Sequence, residues 1–155
     1  MPRLQRGGQR FESARVQNFT YNLISMKNFN GVIIEESLEN KDVLRKVKIL
    51  KTDIEPVTEG HKTPWVKQWT LHNVEILENQ SDDIAGKISE TLDPEHNWYA
   101  DFKNNEFHYI VFRNKVFKID HSKPEQYGEA TKYGVSLGIP DHQLDFPPHI
   151  KEWER

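Results

Sequence analysis

The sequence predicts an α+β domain, in which a mostly antiparallel sheet carries about two helices packed on one face. Three observations predict this class: a meander of short aromatic strands, two amphipathic helix patterns, and the order of these elements along the chain. The predicted order is three strands, a helix, three strands and a helix. Runs of strands followed by single helices are typical of antiparallel sheets with helices on one side.

The meander is the best-defined part of the chain, with strands predicted at about 97–102, 107–112 and 115–120. Asparagine stands at both turns, at Asn104-Asn105 and at Asn114, and it tolerates the left-handed backbone of tight hairpins. Successive side chains point to opposite faces of a strand. One face of the first strand should therefore hold Trp98, Ala100 and Phe102, and the other Tyr99 and Asp101.

Three further strands are predicted before the first helix, at 31–36, 47–57 and 65–77. The third of these has apolar residues on both faces. Trp65, Trp69 and Leu71 alternate on one face, whereas Val74 and Ile76 alternate on the other. One extra residue would bring the halves into phase, since a one-residue slip turns every side chain to the opposite face. We therefore predict a bulge or a bend near His72-Asn73.

The two helices are recognised by their ends and their apolar stripes. The first is predicted at 81–92, with Ser81 as N-cap and an i, i+4, i+8 stripe of Ile84, Ile88 and Leu92. With the strands on either side of it, this helix could form one right-handed crossover. The second helix follows Ser122 and Glu125, which have the spacing of a capping box, and Gly138 predicts its end.

Composition excludes several classes of function. The 155 residues include no cysteine, which removes disulfides, zinc–thiolate sites and cysteine nucleophiles. A cysteine-free chain fits a reducing cytoplasm, which is the location we predict. The net charge of -3 does not indicate a dedicated nucleic-acid or membrane binder, and no apolar run is long enough to span a bilayer.

A single domain is expected over residues 26–147, followed by a C-terminal tail at 148–155. Residues 1–25 are predicted to be a flexible basic tail, or an upstream extension with Met26 as the true start. The arginines of this segment are Arg3, Arg6, Arg10 and Arg15. Two functional alternatives are a basic arm that binds nucleic acid and an Arg-rich targeting peptide, although no amphipathic stripe accompanies the arginines.

A set of short motifs runs through most of the chain: Gly31-Val32-Ile33-Ile34-Glu35-Glu36, Trp98-Tyr99-Ala100-Asp101-Phe102, Tyr109-Ile110-Val111-Phe112, Lys115-Val116-Phe117-Lys118-Ile119, Tyr133-Gly134, Ser136-Leu137-Gly138-Ile139-Pro140 and Gln143-Leu144-Asp145-Phe146. Together they resemble the pattern of a family of short, uncharacterised bacterial proteins. The resemblance covers about residues 26–147. It implies one compact bacterial domain and carries over no catalytic residue.

Acidic residues and histidines of the meander are the candidates for a ligand site. They are Asp101, His108, Asp120 and His121. Paired carboxylates can run hydrolysis or bind magnesium when one stays ionised and the other has a raised pKa. The alternative, which we favour, is a water-facing side of an antiparallel sheet, with His108 as a hydrogen-bonded core residue. No catalytic residue is therefore predicted.

A second cluster, after the last helix, is the candidate for a metal site. It consists of Asp141, His142 and Asp145, and this ligand set suits a hard or borderline metal ion. The spacing matches no motif that imposes a coordination geometry. A turn capped by the two carboxylates, with a solvated histidine, is the stronger interpretation, so no metal or other cofactor is predicted.

Taken together, these observations favour a non-enzymatic module that binds a protein partner or a small ligand, with Trp65 and Trp69 as a contact surface. One alternative is a small metal-assisted hydrolase that uses the candidate carboxylates and histidines. A second alternative is a nucleic-acid-binding protein that uses the N-terminal arginines and the aromatic meander. It is disfavoured because such affinity depends on neutralising phosphates, and no basic stripe lies outside residues 1–17. The sequence leaves the oligomeric state open.

Overall fold

The computed structural model describes residues 27–144, which form one six-stranded sheet and two α-helices. The strands are β1 (Phe29–Ile34), β2 (Lys48–Pro56), β3 (Gln68–Ile76), β4 (Tyr99–Lys103), β5 (Phe107–Phe112) and β6 (Lys115–Asp120). The helices are α1 (Ser81–Thr91) and α2 (Tyr127–Ser136). No helix in this part of the chain is long and apolar enough to cross a membrane. The predicted tails, 1–25 and 148–155, lie outside the described residues.

The strand order is β2-β3-β1-β4-β5-β6, and every neighbouring pair is antiparallel. Because β1 is antiparallel to both β3 and β4, those two strands run in the same direction on either side of it. Helix α1 connects them, so β3, α1 and β4 form a crossover that passes over one strand, β1. The α+β class, the antiparallel sheet and the two helices are confirmed.

The meander matches its prediction closely, and its turns show why asparagine stands there. At the first turn, Asn104 Oδ1 accepts hydrogen bonds from the N–H groups of Glu106 and Phe107, at 2.8 and 2.7 Å. At the second turn, Asn114 has a φ of 60°, in the left-handed region that few other side chains tolerate. Local turn chemistry therefore sets the register of both hairpins.

The two helices lie on opposite faces of the sheet, not on one face as the order of elements suggested. Tyr109 and Val111 of β5 pack in the cluster that contains the α1 residues Ile84 and Ile88. Ile110 and Phe112, their neighbours along the strand, pack instead in the cluster that contains Tyr127 and Ala130 of α2. Because both alternating sets on β5 are apolar, each face of this strand needs its own cover. We call these two sides the α1 face and the α2 face.

Strand β3 contains no bulge, so the prediction of one near His72-Asn73 is wrong for this strand. The register shift lies in the neighbouring strand β2, between Ile49 and Lys51, and leaves Leu50 as the extra residue. Strand β3 keeps strict alternation: Val74 and Ile76 are buried under α1, while Trp69 and Leu71 point to the α2 face. Both halves of its pattern are apolar because both of its faces are covered by protein or line a pocket.

Helix α1 begins and ends close to its predicted limits, and its stripe of Ile84, Ile88 and Leu92 is fully buried. The capping box predicted for the second helix is wrong. Ser122 donates its N–H and its hydroxyl to Asp120 Oδ1, and a 3-10 turn with Pro124 at its start precedes α2. The predicted stop is confirmed, because Gly138 has a φ of 93°.

Candidate functional site

A pocket lies on the α2 face, over the part of the sheet that α2 does not cover. Its floor is formed by β1 and β3, through Val32, Ile34, Trp69 and Leu71. The volume is about 770 Å³, and small-ligand sites typically measure about 300–1,000 Å³. The rest of the wall comes from distant parts of the chain: Glu55, Thr58, Gly60, His61, Lys62, Thr63 and Trp65 before β3; Glu95, His96, Asn97, Trp98 and Tyr99 around the start of β4; and Gly138, Ile139, Pro140, His142 and Gln143 after α2.

Three tryptophans form one continuous wall, and we therefore call the cavity the indole pocket. The buried Trp98 ring lies at the centre, with centroids 6.0 Å from Trp65 and 5.9 Å from Trp69. The Trp65 contact is edge-to-face, at 85° between ring planes, which suits the charge distribution of aromatic rings. Trp65 remains 42% exposed, so the wall ends in an indole that solvent or a ligand can reach.

Trp65 is held in place by a histidine. Its ring stacks on His96 with centroids 3.8 Å apart and planes 8° from parallel. His96 Nδ1 lies 2.7 Å from Asp93 Oδ2, and Asp93 Oδ1 also accepts the Glu95 N–H at 2.8 Å. Partial burial opposes ionisation of Asp93, but the Glu95 N–H and His96 outweigh it and hold the pKa of this carboxyl below its usual value. An ionised Asp93 thus fixes the His96 ring, and that ring supports one face of Trp65.

The β2–β3 connection fixes the second side of the pocket. The Thr58 N–H donates to His61 Nδ1 at 3.0 Å, so His61 Nε2 carries the proton and donates to Glu55 Oε1 at 3.2 Å. The His61 ring meets Trp69 edge-on at 4.4 Å, and Trp69 Nε1 donates to Thr63 Oγ1 at 2.9 Å. Both ring nitrogens of His61 are therefore engaged in positioning this loop.

The segment after α2 closes the third side by bonding to the other two. Gln143 Nε2 donates to the backbone oxygen of His61 at 2.8 Å. On the opposite side, Asn97 Nδ2 donates to the backbone oxygen of Leu137. Three stretches far apart in sequence are thus joined around the opening by side chain–backbone hydrogen bonds.

The sequence candidates Asp101 and His108 meet directly, but they do so in the core. Each has only 1% of its side chain exposed, and His108 Nε2 lies 2.7 Å from Asp101 Oδ2. The other ring nitrogen, Nδ1, lies 2.7 Å from the Tyr127 hydroxyl on α2. His108 donates its Nε2–H to the Asp101 carboxylate, and its Nδ1 accepts a hydrogen bond from the Tyr127 hydroxyl. The three buried side chains therefore form one hydrogen-bonded set. We call this set the buried triad.

Burial around the triad favours the uncharged forms of Tyr127 and His121. Burial, and then the Asp101 charge, raise the pKa of Tyr127 to about 12. The candidate His121 lies beside the triad, with its ring centroid 6.2 Å from that of His108. Burial lowers the pKa of His121, and the positive charge of Lys103 lowers it further. The candidate Asp120 instead accepts hydrogen bonds from Ser122, and these bonds lower the pKa of the Asp120 carboxyl.

The candidate metal cluster of Asp141, His142 and Asp145 lies only partly within the described residues. Asp141 and His142 lie in a 3-10 turn, where both are exposed and His142 lines the indole pocket. Asp145 lies outside the described residues. Within residues 27–144, no group of three or more histidine, aspartate or glutamate side chains could hold a metal ion.

Comparison with known proteins gives no match: no family model, no curated protein and no solved structure matches this chain. The resemblance described from the sequence motifs therefore remains an expectation. The site has to be interpreted from its own geometry.

Sequence reasoning named Trp65 and Trp69 as a contact surface but did not predict a pocket. The signal was present in β3, whose large residues Trp69 and Leu71 alternate on the face opposite the buried Val74 and Ile76. We interpreted that pattern as a bulge. A strand with apolar residues on both faces also indicates a second surface to cover, here the floor of the indole pocket.

Proposed function

We propose that this protein is a non-enzymatic module that binds a small ligand in the indole pocket. The observation that carries the proposal is the half-exposed Trp65 ring, stacked on His96 at the end of a three-tryptophan wall. A cavity of about 770 Å³ beside such a wall has the size and the apolar character of small-molecule sites. A cytoplasmic, bacterial setting is part of the proposal, supported by the lack of cysteine and by the motif resemblance.

The chemistry of the wall favours a ligand with one flat, apolar face. One face of the Trp65 ring is occupied by His96, and the residue is still 42% exposed, so a planar group can stack on what remains. Polar groups stand around this platform, among them Glu95 and Lys62, which can pair with polar substituents of a ligand. A few placed polar groups within an aromatic wall are what give small-molecule sites their specificity.

The hydrogen bonds of His61 and His108 favour a structural role for these two rings over catalysis. His61 uses one ring nitrogen to accept from Thr58 and the other to donate to Glu55, so it shapes a loop. His108 has both nitrogens engaged within the buried triad and is 1% exposed. A general base has to be within hydrogen-bond reach of the proton that it removes from a substrate, and these two rings already hold protein groups.

Ligand-observed saturation-transfer NMR with a panel of single- and double-ring aromatic fragments tests the proposal. The wild-type protein should bind members of the panel, and Trp65→Ala should weaken them about tenfold, because stacking on one aromatic ring contributes about 1–3 kcal/mol. Leu77→Ala is the matched control, since Leu77 is also about half exposed, at 49%, and does not line the pocket. A panel with no binder, or equal affinity in wild type and Trp65→Ala, would refute the assignment.

The two alternatives remain predictions, and the same protein preparation tests them. A metal-assisted hydrolase should show a thermal shift with magnesium, manganese or zinc. A nucleic-acid binder should bind labelled single strands with an affinity that falls as salt rises and that is lost on removal of residues 1–17. No observation among residues 27–144 favours either one over the indole pocket.

A further inference from the structure

Among residues 27–144, strand β2 forms one edge of the sheet, and all nine of its residues are exposed. Its apolar side chains are open to water, with Ile49 at 42% and Ile54 at 62% exposure. Exposed edge strands of this length present unpaired backbone groups that can pair with another chain. The composition of β2 determines which chain it fits.

The ladder to β3 shows which backbone groups of β2 face outward. Val57 N–H donates to Lys67 O at 3.0 Å, and the register continues without interruption back to Lys51. Antiparallel residues alternate between bonding to one neighbour and facing the other side. Glu55, Asp53 and Lys51 therefore bond to β3, while Thr52 and Ile54 direct their N–H and C=O groups away from the sheet. Pro56 also faces outward, where a missing N–H costs no ladder bond.

We propose that β2 pairs antiparallel with β2 of a second copy of this chain, about a twofold axis at Thr52. The two six-stranded sheets then form one continuous sheet. Thr52 of one protomer faces Thr52 of its partner as a hydrogen-bonded pair. Ile54 of each protomer faces Ile49 of the other, because the bulge at Leu50 places Ile49 in the next ladder position after Lys51.

The side chains of β2 are complementary to themselves in this register. On the α1 face, Ile49 meets Ile54 of the second copy, so both exposed isoleucines are covered. On the α2 face, Lys51 meets Asp53 and Lys48 meets Glu55. These charged pairs occupy the non-hydrogen-bonded positions, where opposite side chains approach most closely. Every charge on the strand thus faces one of opposite sign.

Neighbouring registers lose this match. Moving the axis to Asp53 places that carboxylate opposite its own copy, and moving it to Lys51 does the same with two ammonium groups. Like charges directly opposite in a sheet are destabilising. The strand therefore favours the axis at Thr52, and the small contact predicts a weak dimer whose affinity falls as salt screens the charges.

Two single charge reversals test the pairing when they are mixed. By sedimentation velocity of the full chain in low salt, loaded up to about 1 mM, the wild type should be partly dimeric. Lys51→Asp alone and Asp53→Lys alone should each dimerise about tenfold more weakly, because each places like charges opposite one another. An equimolar mixture of the two variants should recover the dimer, since only the heterodimer pairs opposite charges. The Lys51–Asp53 contact within one strand, 3.4 Å long, is broken in both variants and cannot account for that recovery.

The opposite edge of the sheet supplies the control. Ile54→Lys on β2 should abolish the dimer, whereas Val116→Lys on β6, 37% exposed in the monomer, should leave it unchanged. Circular dichroism and thermal melts verify that each variant is folded. A wild type that is monomeric throughout, a mixture that does not recover the dimer, or a dimer lost in Val116→Lys but kept in Ile54→Lys would each overturn the proposal.

Discussion

Replacing His108 with phenylalanine removes the central member of the buried triad. The change keeps an aromatic ring of similar size between β5 and α2 but deletes both ring nitrogens. Asp101 then loses the donor 2.7 Å from its Oδ2, and the Tyr127 hydroxyl loses the acceptor 2.7 Å away. All three side chains are at most 5% exposed, so water cannot take the place of the lost partner without opening the core.

The expected cost follows from these two losses. Leaving a buried carboxylate without its donor costs about 3–5 kcal/mol, and taking the acceptor from a buried hydroxyl costs about 1–3 kcal/mol. Some relaxation is inevitable, so we expect His108→Phe to lower the free energy of unfolding by about 4 kcal/mol. Against a total of about 5–15 kcal/mol for a domain, the variant should fold but with little margin.

Urea unfolding monitored by tryptophan fluorescence measures this loss, provided the slope with denaturant is unchanged. Tyr127→Phe should cost about 1–2 kcal/mol by removing only the hydroxyl. Tyr133→Phe, on the same helix and partly buried, should stay within about 0.5 kcal/mol of wild type. The triad interpretation fails if His108→Phe costs less than about 1 kcal/mol, or if the two tyrosine variants cost the same.

Other expected outcomes concern single positions. Gly31→Ala should cost more than about 3 kcal/mol in urea unfolding, because a Cβ there would lie 2.2 Å from a β4 backbone oxygen, whereas Gly86→Ala, open in α1, should stabilise by up to about 1 kcal/mol. Because folding raises the pKa of Tyr127 from 10.0 to about 12, the contribution of its hydroxyl is complete below pH 10 and is lost as the pH rises to 12. The stability gap between wild type and Tyr127→Phe should therefore be present at pH 9 and closed at pH 12; an unchanged gap contradicts the shift. Leu144→Ala should cost about 2–4 kcal/mol and exposed Val135→Ala almost nothing, and equal melting temperatures would contradict the packing of Leu144 on α2.

The elements that sequence predicted well are those whose limits depend on local chemistry. The hairpin at Asn104 and the left-handed Asn114 determine the meander by themselves. Gly138 ends α2 for the same kind of reason. The capping box failed because two local partners competed for Ser122, and the nearer Asp120 carboxylate binds both of its donors. A pattern of letters cannot rank such competing contacts.

What sequence could not predict are the contacts that depend on how layers stack. The helices lie on opposite faces because both sides of β5 are apolar, a feature that the order of elements does not reveal. The hairpin register makes Asp101 and His108 diagonal neighbours on one face, opposite Ile110 and Lys103, but Tyr127 reaches them only once α2 has been placed. The indole pocket likewise requires three separate stretches of chain to meet.

The hydrogen bonds that hold the pocket together have a consequence for how its occupancy can be detected. Gln143 ties the tail of α2 to the loop at His61, and Asn97 ties the same tail to the start of β4. A molecule lodged between them restrains all three stretches at once, although they are separated by tens of residues. Amide hydrogen exchange should therefore slow together around residues 58–65, 95–99 and 137–143 when a ligand fills the pocket. Such a joint increase in protection would report that the pocket is occupied.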